Sequence, residues 1–272
     1  MSVGDADVVR FREDGAVCLR GVFGMDWIER LRRAVDADMA TPGPMVRINT
    51  AQGSPGLFFV DFQLWQRHAD CRAFVFDSPA AALAARLMGS KTVNWYHDHL
   101  LVKEPGTQEP TPWHHDQPYY PIEGRDLVSF WLPLDPVSRD TCVEYIRGSH
   151  RWGRWFLPKF FRKEAEFTAQ DPRFEPIPDF SAEREQHEFL GWDMEPGDLI
   201  AFHSLTVHGA PGNRSVTRRR RAWATRWLGD DARYAERIGT VSPPIEGHGL
   251  KAGDAFGGSL FPRVWPKTQL DL

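Results

Sequence analysis

Cysteine is scarce in this chain of 272 residues: Cys18, Cys71 and Cys142 are odd in number, far apart and show no Cys-x-x-Cys spacing. That excludes a disulfide framework or a thiolate-rich zinc site, and reduced thiols in a cytoplasmic protein are expected. No apolar run approaches the roughly 18 residues that span a bilayer. The opening MSVGDADVVRFRED lacks the basic and apolar segments of a secretory signal. Charge of one sign is not in excess either, the net charge being −4. Neither a membrane nor a nucleic-acid partner is therefore expected. Internal repeats, low-complexity tracts and Gly/Ser linkers are missing too, so one domain over residues 1–272 is the simplest organisation. Aromatic residues, by contrast, are plentiful, with 11 Trp and 18 Phe. A core absorbs most of them, and the lining of a pocket would account for others.

Residues 1–91 read as helical with short strands. DADVVRFREDG has helical spacing closed by Gly15, and AVCLRGVF alternates towards a strand. GMDWIERLRRAVDADMA sets Trp27, Ile28, Leu31 and Val35 on one helical face. SPAAALAARLMG offers Ser78 as an N-cap, Pro79 in the first turn and Gly89 as the stop. From about 92 to 230 the pattern becomes short β-type runs divided by Pro, Gly and Asp turns, among them VNWYHDHLLVKEPG, DLVSFWLPLDPV, GDLIAFHSLTVHG and RRAWATRWLG. Strands without intervening helices predict an antiparallel sandwich or barrel. Residues 151–193 are too long and too rich in Pro and charge for a hairpin. They predict either a lid-like insertion or a surface excursion packed by its own aromatics. Residues 231–272 form a C-terminal extension.

The stretch TPWHHDQPYYP, residues 111–121, is either a histidine-rich structural turn or half of a metal site. On an extended segment alternate side chains share a face, which pairs His114 with Asp116 and turns His115 away. The best third ligand is His208 in FHSLTVHGAPGNRS. Two histidines and one carboxylate leave open positions on a metal and suit non-haem Fe(II) oxygen chemistry. Zinc with a bound water is compatible with the same set. Downstream runs a strand with dense arginines, where alternation puts Arg219, Arg221, Trp223, Thr225 and Trp227 on one face, and Arg218 and Arg220 on the other. With Arg219 on the metal-facing side, its guanidinium would clamp a carboxylate bidentately. The outer arginines would form a solvated basic edge.

HLLVKEPGTQEPTPWHHDQPYYPIEGRDLVSFWLPLDPV, then IRGSHRWG, then GDLIAFHSLTVHGAPGNRS resemble the phytanoyl-CoA dioxygenase family of Fe(II)/2-oxoglutarate-dependent oxygenases. The resemblance covers about residues 8–230 and is strongest over 96–228. It implies a mainly β fold with flanking helices, a double-stranded β-helix (jelly roll, cupin-like). By position, His114, Asp116 and His208 match the catalytic iron ligands, and Arg219 the arginine that pairs with the distal carboxylate of 2-oxoglutarate. Trp131, Lys103 and His115 border the co-substrate. Some relatives carry Ser where this chain has Ala210, which removes one hydrogen bond to the co-substrate. Asp116 argues against halogenation, because related halogenases lack that carboxylate. The implied reaction consumes 2-oxoglutarate and O2, yields succinate and CO2, and oxidises a C–H bond of a small-molecule substrate.

For that substrate, a small metabolite or natural-product intermediate, three segments offer contacts. These are Arg47, Asn49 and Phe59; Tyr96 and His99; and Trp152, Arg154, Trp155, Lys159, Phe160 and Phe161 of the insertion. Two further readings stay open: an acyl-CoA hydroxylase of the same family, and a non-oxidative metal-dependent jelly roll (an isomerase or hydrolase). A monomer or small homo-oligomer is expected.

Overall fold

The computed structural model describes residues 3–50, 52, 53, 55–161, 168 and 170–267. Residues 162–167 and 169 of the expected lid-like insertion, 268–272 of the C-terminal extension, and the first two residues lie outside the described residues.

In chain order the first elements are α1 (Asp5–Asp14), β1 (Ala16–Leu19), α2 (Met25–Ala40), β2 (Arg47–Ile48), β3 (Phe58–Phe62), α3 (Leu64–Arg67), α4 (Ala69–Asp77) and α5 (Ala80–Met88). Then come β4 (Val93–Lys103), β5 (Thr111–His114), β6 (Ile122–Glu123), β7 (Leu127–Pro133), β8 (Glu144–Ile146), β9 (Trp155–Phe156), β10 (Phe174–Glu175) and β11 (Phe189–Leu190). The last are β12 (Leu199–His203), β13 (His208–Ala210), β14 (Arg220–Leu228), β15 (Arg233–Tyr234) and β16 (Arg263–Trp265).

Helix ends follow the expected chemistry. Gly15 and Gly89 close α1 and α5 in the left-handed region, where a side chain would be strained. In α2, Ile28, Leu31 and Val35 are buried, with Trp27 half-buried beside them. Ser78 lies one residue further out than a cap. Its hydroxyl donates to the Phe74 carbonyl at 2.5 Å and accepts from the Ala80 N–H at 3.2 Å, bridging α4 to α5.

Two antiparallel sheets form the double-stranded β-helix. The larger has the order β1-β12-β7-β14-β4-β3-β2, with β16 on the far end of β4, and the smaller is β11-β8-β13-β5. One face of the large sheet carries Trp95, Leu100, Val102, Val128, Phe130, Leu132, Trp223 and Trp227 against the helices. The other face meets the small sheet through Trp131, Phe202, Ala222 and Ala224, opposite Val143, Tyr145 and Ala210. Strands β3, β7, β12 and β14 of the large sheet are thus buried on both faces, which is why their hydrophobic runs look nearly continuous. A bulge breaks the alternation where Arg226 opposes His97 but Trp227 opposes Trp95. Tyr96 is the extra residue, so Trp95 faces the helices and His97 faces inward.

Candidate active site

His114 ends β5 and His208 begins β13, and the register makes them direct cross-strand partners. Their rings lie 4.1 Å apart, centroid to centroid. Asp116 lies beyond the strand, where the chain turns into a short 3-10 segment, Gln117–Tyr119. Its Oδ1 is 3.7 Å from His114 Nε2 and 3.8 Å from His208 Nε2. One ligand atom from each of the three falls within 4.8 Å of the others, so these residues could hold a metal ion.

The surrounding contacts orient all three. His114 Nδ1 is 2.8 Å from the Pro112 carbonyl and His208 Nδ1 is 2.9 Å from the Thr206 carbonyl. A carbonyl only accepts, so each ring carries its proton on Nδ1 and offers the lone pair of Nε2 to a metal. Asp116 Oδ2 accepts from Ser129 Oγ at 2.7 Å and from Arg226 Nη2 at 3.2 Å, leaving Oδ1 free to coordinate. Burial pushes the Asp116 carboxyl up. Arg226, the two histidines and the Ser129 hydroxyl more than offset this and hold it well below the usual carboxylate range. Burial, reinforced by His114, lowers His208 to about 3. Both imidazoles are therefore neutral and the carboxylate is ionised, the protonation states that metal ligation needs.

The antiparallel pairing of β14 with β4 sets four facing pairs on the inward surface: Arg220 with Lys103, Ala222 with Leu101, Ala224 with His99, and Arg226 with His97. Two adjoining cavities result. One runs from His114 and His208 over Trp131, Phe202, Ala222 and Ala224 to Lys103 and Arg220. The other is walled by Arg47, Phe62, His97, Tyr119, Lys159 and Phe160, with His99, His114, Phe161 and Arg226 common to both. Alanine at 222 and 224 leaves room in the first cavity where tryptophan would fill it.

At the far end of the first cavity Lys103 Nζ donates to the carbonyls of Glu109 (2.9 Å) and Pro211 (3.1 Å) and to Thr111 Oγ1 (3.2 Å). Arg220 donates to the carbonyls of Thr141 and Pro211. Neither cation forms an ion pair among the described residues. Burial lowers Arg220 to about 10; burial, with Arg220 alongside, pushes Lys103 well below the usual lysine range. Two close, buried basic groups, hydrogen-bonded only to neutral atoms and with the Glu109 carboxylate partly offsetting burial at Lys103, make a site where a bound anion would favour the charged forms.

Several expected contacts need correction. Arg219 faces outward, pairing with Glu104 and with Asp36 at 3.3 Å, and Arg220 takes the inward position. β14 starts only at Arg220, and the bulky Trp223 and Trp227 claim the helix-packed face, which reverses the expected alternation. His115 does not border the cavities: its Nε2 accepts from the Phe156 N–H at 2.8 Å, and burial lowers it to about 4. Phe59 packs among the helices, on the opposite face of β3 from Phe62. Asn49 is buried outside both cavities. Tyr96 stacks on Phe261 in a cluster with Tyr120 and Phe256. Trp152 packs on Phe180 and His187, and Trp155 lies under Arg173 at 3.9 Å. Among the expected residues, Trp131, Lys103, Arg47 and His99 do line the cavities, as do Lys159, Phe160 and Phe161 of the insertion. His97, Ser129, Arg220 and Arg226 were missed. The available signal was RAWATRW, where small and large residues alternate and the small face marks the cavity.

Two expectations for experiment arise from these contacts. Tyr119 Oη donates to the Lys159 carbonyl (2.5 Å) and accepts from the Lys159 N–H (2.9 Å), tying the insertion to the site wall. Tyr119→Phe removes both bonds and should cost about 1–2 kcal/mol. Limited proteolysis should then cut faster near Lys159 while iron retention is unchanged; an unaltered cleavage rate would refute the tie.

The second expectation concerns acid. Burial lowers His97 to about 3, His115 to about 4 and His203 to about 3. Unfolded, these rings protonate near 6.5. Between the two limits the unfolded chain binds more protons. Stability is therefore complete above pH 6.5 and falls with acidification, by up to about 1.4 kcal/mol per pH unit for each ring. Urea unfolding of the metal-free protein should show a clearly lower midpoint at pH 5 than at pH 7.5; equal midpoints would contradict it.

Among the described residues no helix is long and apolar enough to cross a membrane. The phytanoyl-CoA dioxygenase family model matches residues 11–222. The peroxisomal phytanoyl-CoA dioxygenase of Homo sapiens is 27% identical over 155 residues, 55% of this chain and 44% of its own length. The chain thus spans less than half of that relative. The 1-deoxypentalenic acid 11-beta-hydroxylase of Streptomyces arenae is 27% identical over 226 residues, 76% of this chain and 74% of its own. Among solved structures, the non-haem α-ketoglutarate-dependent carbocyclase SnoK from nogalamycin biosynthesis is 26% identical. It superposes with a TM-score of 0.74 over 96% of both chains. By its family match, its jelly roll and its His-Asp-His cluster, this chain belongs to the phytanoyl-CoA dioxygenase family of Fe(II)/2-oxoglutarate-dependent oxygenases.

Proposed function

We propose that the chain, acting as one oxygenase domain, hydroxylates a C–H bond of a small metabolite or natural-product intermediate. The observation that carries this reading is the inward stripe of β14 and β4, which joins the metal cluster to the buried cations Arg220 and Lys103 across an alanine floor. A redox-silent isomerase or hydrolase would have no use for two cations held at the end of a cavity that begins at the metal.

His114, Asp116 and His208 would hold iron, and Arg220 with Lys103 would hold the distal carboxylate of 2-oxoglutarate, a role that passes from Arg219 to its neighbour. Iron and 2-oxoglutarate supply the oxidising chemistry, consuming O2, releasing CO2 and succinate and oxidising a C–H bond of the substrate. The chain's own residues do the rest. The Pro112 and Thr206 carbonyls fix both imidazoles, while Ser129 and Arg226 hold Asp116. Trp131, Val143 and Phe202 keep the co-substrate cavity apolar, so the buried charges act without competition from water. Arg47, Tyr119, Phe160 and Phe161 wall the second cavity, where the substrate would lie. The hydroxylase from Streptomyces arenae, matched over 76% of this chain, supports hydroxylation as the outcome.

The test is an anaerobic titration of the purified protein with Fe(II) and 2-oxoglutarate, watched for the visible charge-transfer band of a metal-chelated keto acid. A saturable band, followed by succinate formation when O2 is admitted, supports the reading. Folded, iron-loaded protein without a band would overturn it.

A further inference from the structure

The second cavity contains buried polar atoms without a hydrogen-bond partner among the described residues. His97 and Arg226 are direct cross-strand partners, both almost fully buried, and both face the cavity that holds His114 and Asp116. His97 Nδ1 lies 3.1 Å from the Asp98 carbonyl, which can only accept. The ring proton is therefore on Nδ1, and Nε2 presents a lone pair without a partner among the described residues. Arg226 spends Nη2 on Asp116 and has the Tyr120 hydroxyl alongside it, while its Nε and Nη1 have no well-aligned hydrogen-bond acceptor among the described residues. A buried acceptor and two buried donors thus stand side by side on neighbouring strands. Such groups are almost always paired in native proteins, with the protein, with ordered water or with a ligand.

Charge and shape narrow the ligand. Among the described residues the only carboxylate in the cavity wall is Asp116, already engaged by Ser129 and Arg226. Arg47 adds a second guanidinium, lying 5.4 Å from the Phe62 ring and 5.6 Å from the Phe160 ring. An amine would meet cations here, and a plain alkyl chain would leave His97 and Arg226 unsatisfied. Aromatic walls favour a flat skeleton.

Resting on the oxygenase reading above, we propose that the substrate is a ring-bearing molecule with a hydroxyl beside a carbonyl or carboxylate oxygen. The hydroxyl donates to His97 Nε2, and the neighbouring oxygen accepts from Arg226 Nε and Nη1. His97 and Arg226 then determine which substrates are accepted, because an analogue without the hydroxyl strands a buried acceptor.

The test uses three probes, 2-hydroxy-1-naphthoate, 2-methoxy-1-naphthoate and 1-naphthoate. Binding is measured by calorimetry on the metal-free protein and on the anaerobic Fe(II)/2-oxoglutarate complex. The hydroxy acid should bind about tenfold or more tighter than the other two. His97→Phe should erase that preference, and His97→Gln, which keeps an acceptor, should restore part of it. Equal affinity for all three, no binding of any, or an undiminished preference in His97→Phe would overturn the proposal. If His97→Phe does not fold, the wild-type series decides by itself. The charge-transfer band needs no probe, so its absence would strike the oxygenase reading, whereas a band without probe discrimination strikes this inference alone.

Discussion

His208→Ala is expected to lose iron and more than about a hundredfold of 2-oxoglutarate turnover while remaining folded, whereas Asp116→Ala should lose both iron and stability. The difference lies in what each side chain leaves behind. His208 is neutral, and among the described residues its side-chain hydrogen bond is from Nδ1 to the Thr206 carbonyl. Removing it leaves a small cavity beside Tyr145 and Phe202. Asp116 balances the buried Arg226 guanidinium, so truncating it strands a charge, at about 3–5 kcal/mol. Colorimetric iron determination after anaerobic loading and desalting gives the first quantity, and urea unfolding of the metal-free variants gives the second. If metal-free Asp116→Ala proved as stable as His208→Ala, Arg226 would not depend on Asp116 for its charge balance.

Arg220→Ala should raise the 2-oxoglutarate concentration needed for half-maximal turnover by about a hundredfold or more, with Arg219→Ala within about twofold of wild type. A charge-assisted pair desolvated on both sides is worth several kcal/mol when one partner is removed. An exposed pair such as Arg219 with Asp36 is worth about 1 kcal/mol or less. Arg220 is 7% exposed and points into the cavity with Lys103. Arg219 lies over Glu104 and Asp36 at the surface. Steady-state kinetics in 2-oxoglutarate, with the intensity of the charge-transfer band in parallel, separates the two. A large defect in Arg219→Ala with a near-normal Arg220→Ala would reverse the assignment.

The chemical identity of the site was readable along the chain, because it rests on residue types that few other roles require. His114, Asp116 and His208, the strand-rich stretch from about residue 92, and the glycine stops at 15 and 89 all follow from local chemistry. What a linear reading could not supply was facing. Whether Arg219 or Arg220 enters the barrel depends on where β14 begins after the turn that precedes it. One residue of slip in a strand sends every side chain to the other face. The bulge at Tyr96 does the same on β4, so His97 joins the cavity and Tyr96 packs with Tyr120 and Phe261. His115, beside two expected ligands, turns instead to the Phe156 N–H, a partner 41 residues away.

From the amino-acid order alone came the three residues that could hold a metal, the class of fold and the family, since each is carried by residue identity and short-range pattern. The pairing of strands distant in the chain decided the rest: which arginine faces the cavity that begins at the His-Asp-His cluster, which carboxylate oxygen stays free of other bonds, and which buried atoms lack a partner among the described residues. Those outcomes depend on register and on competition for burial between large and small side chains. In β14, Trp223 and Trp227 take the space against the helices, and Ala222 and Ala224 leave the opposite face open for chemistry.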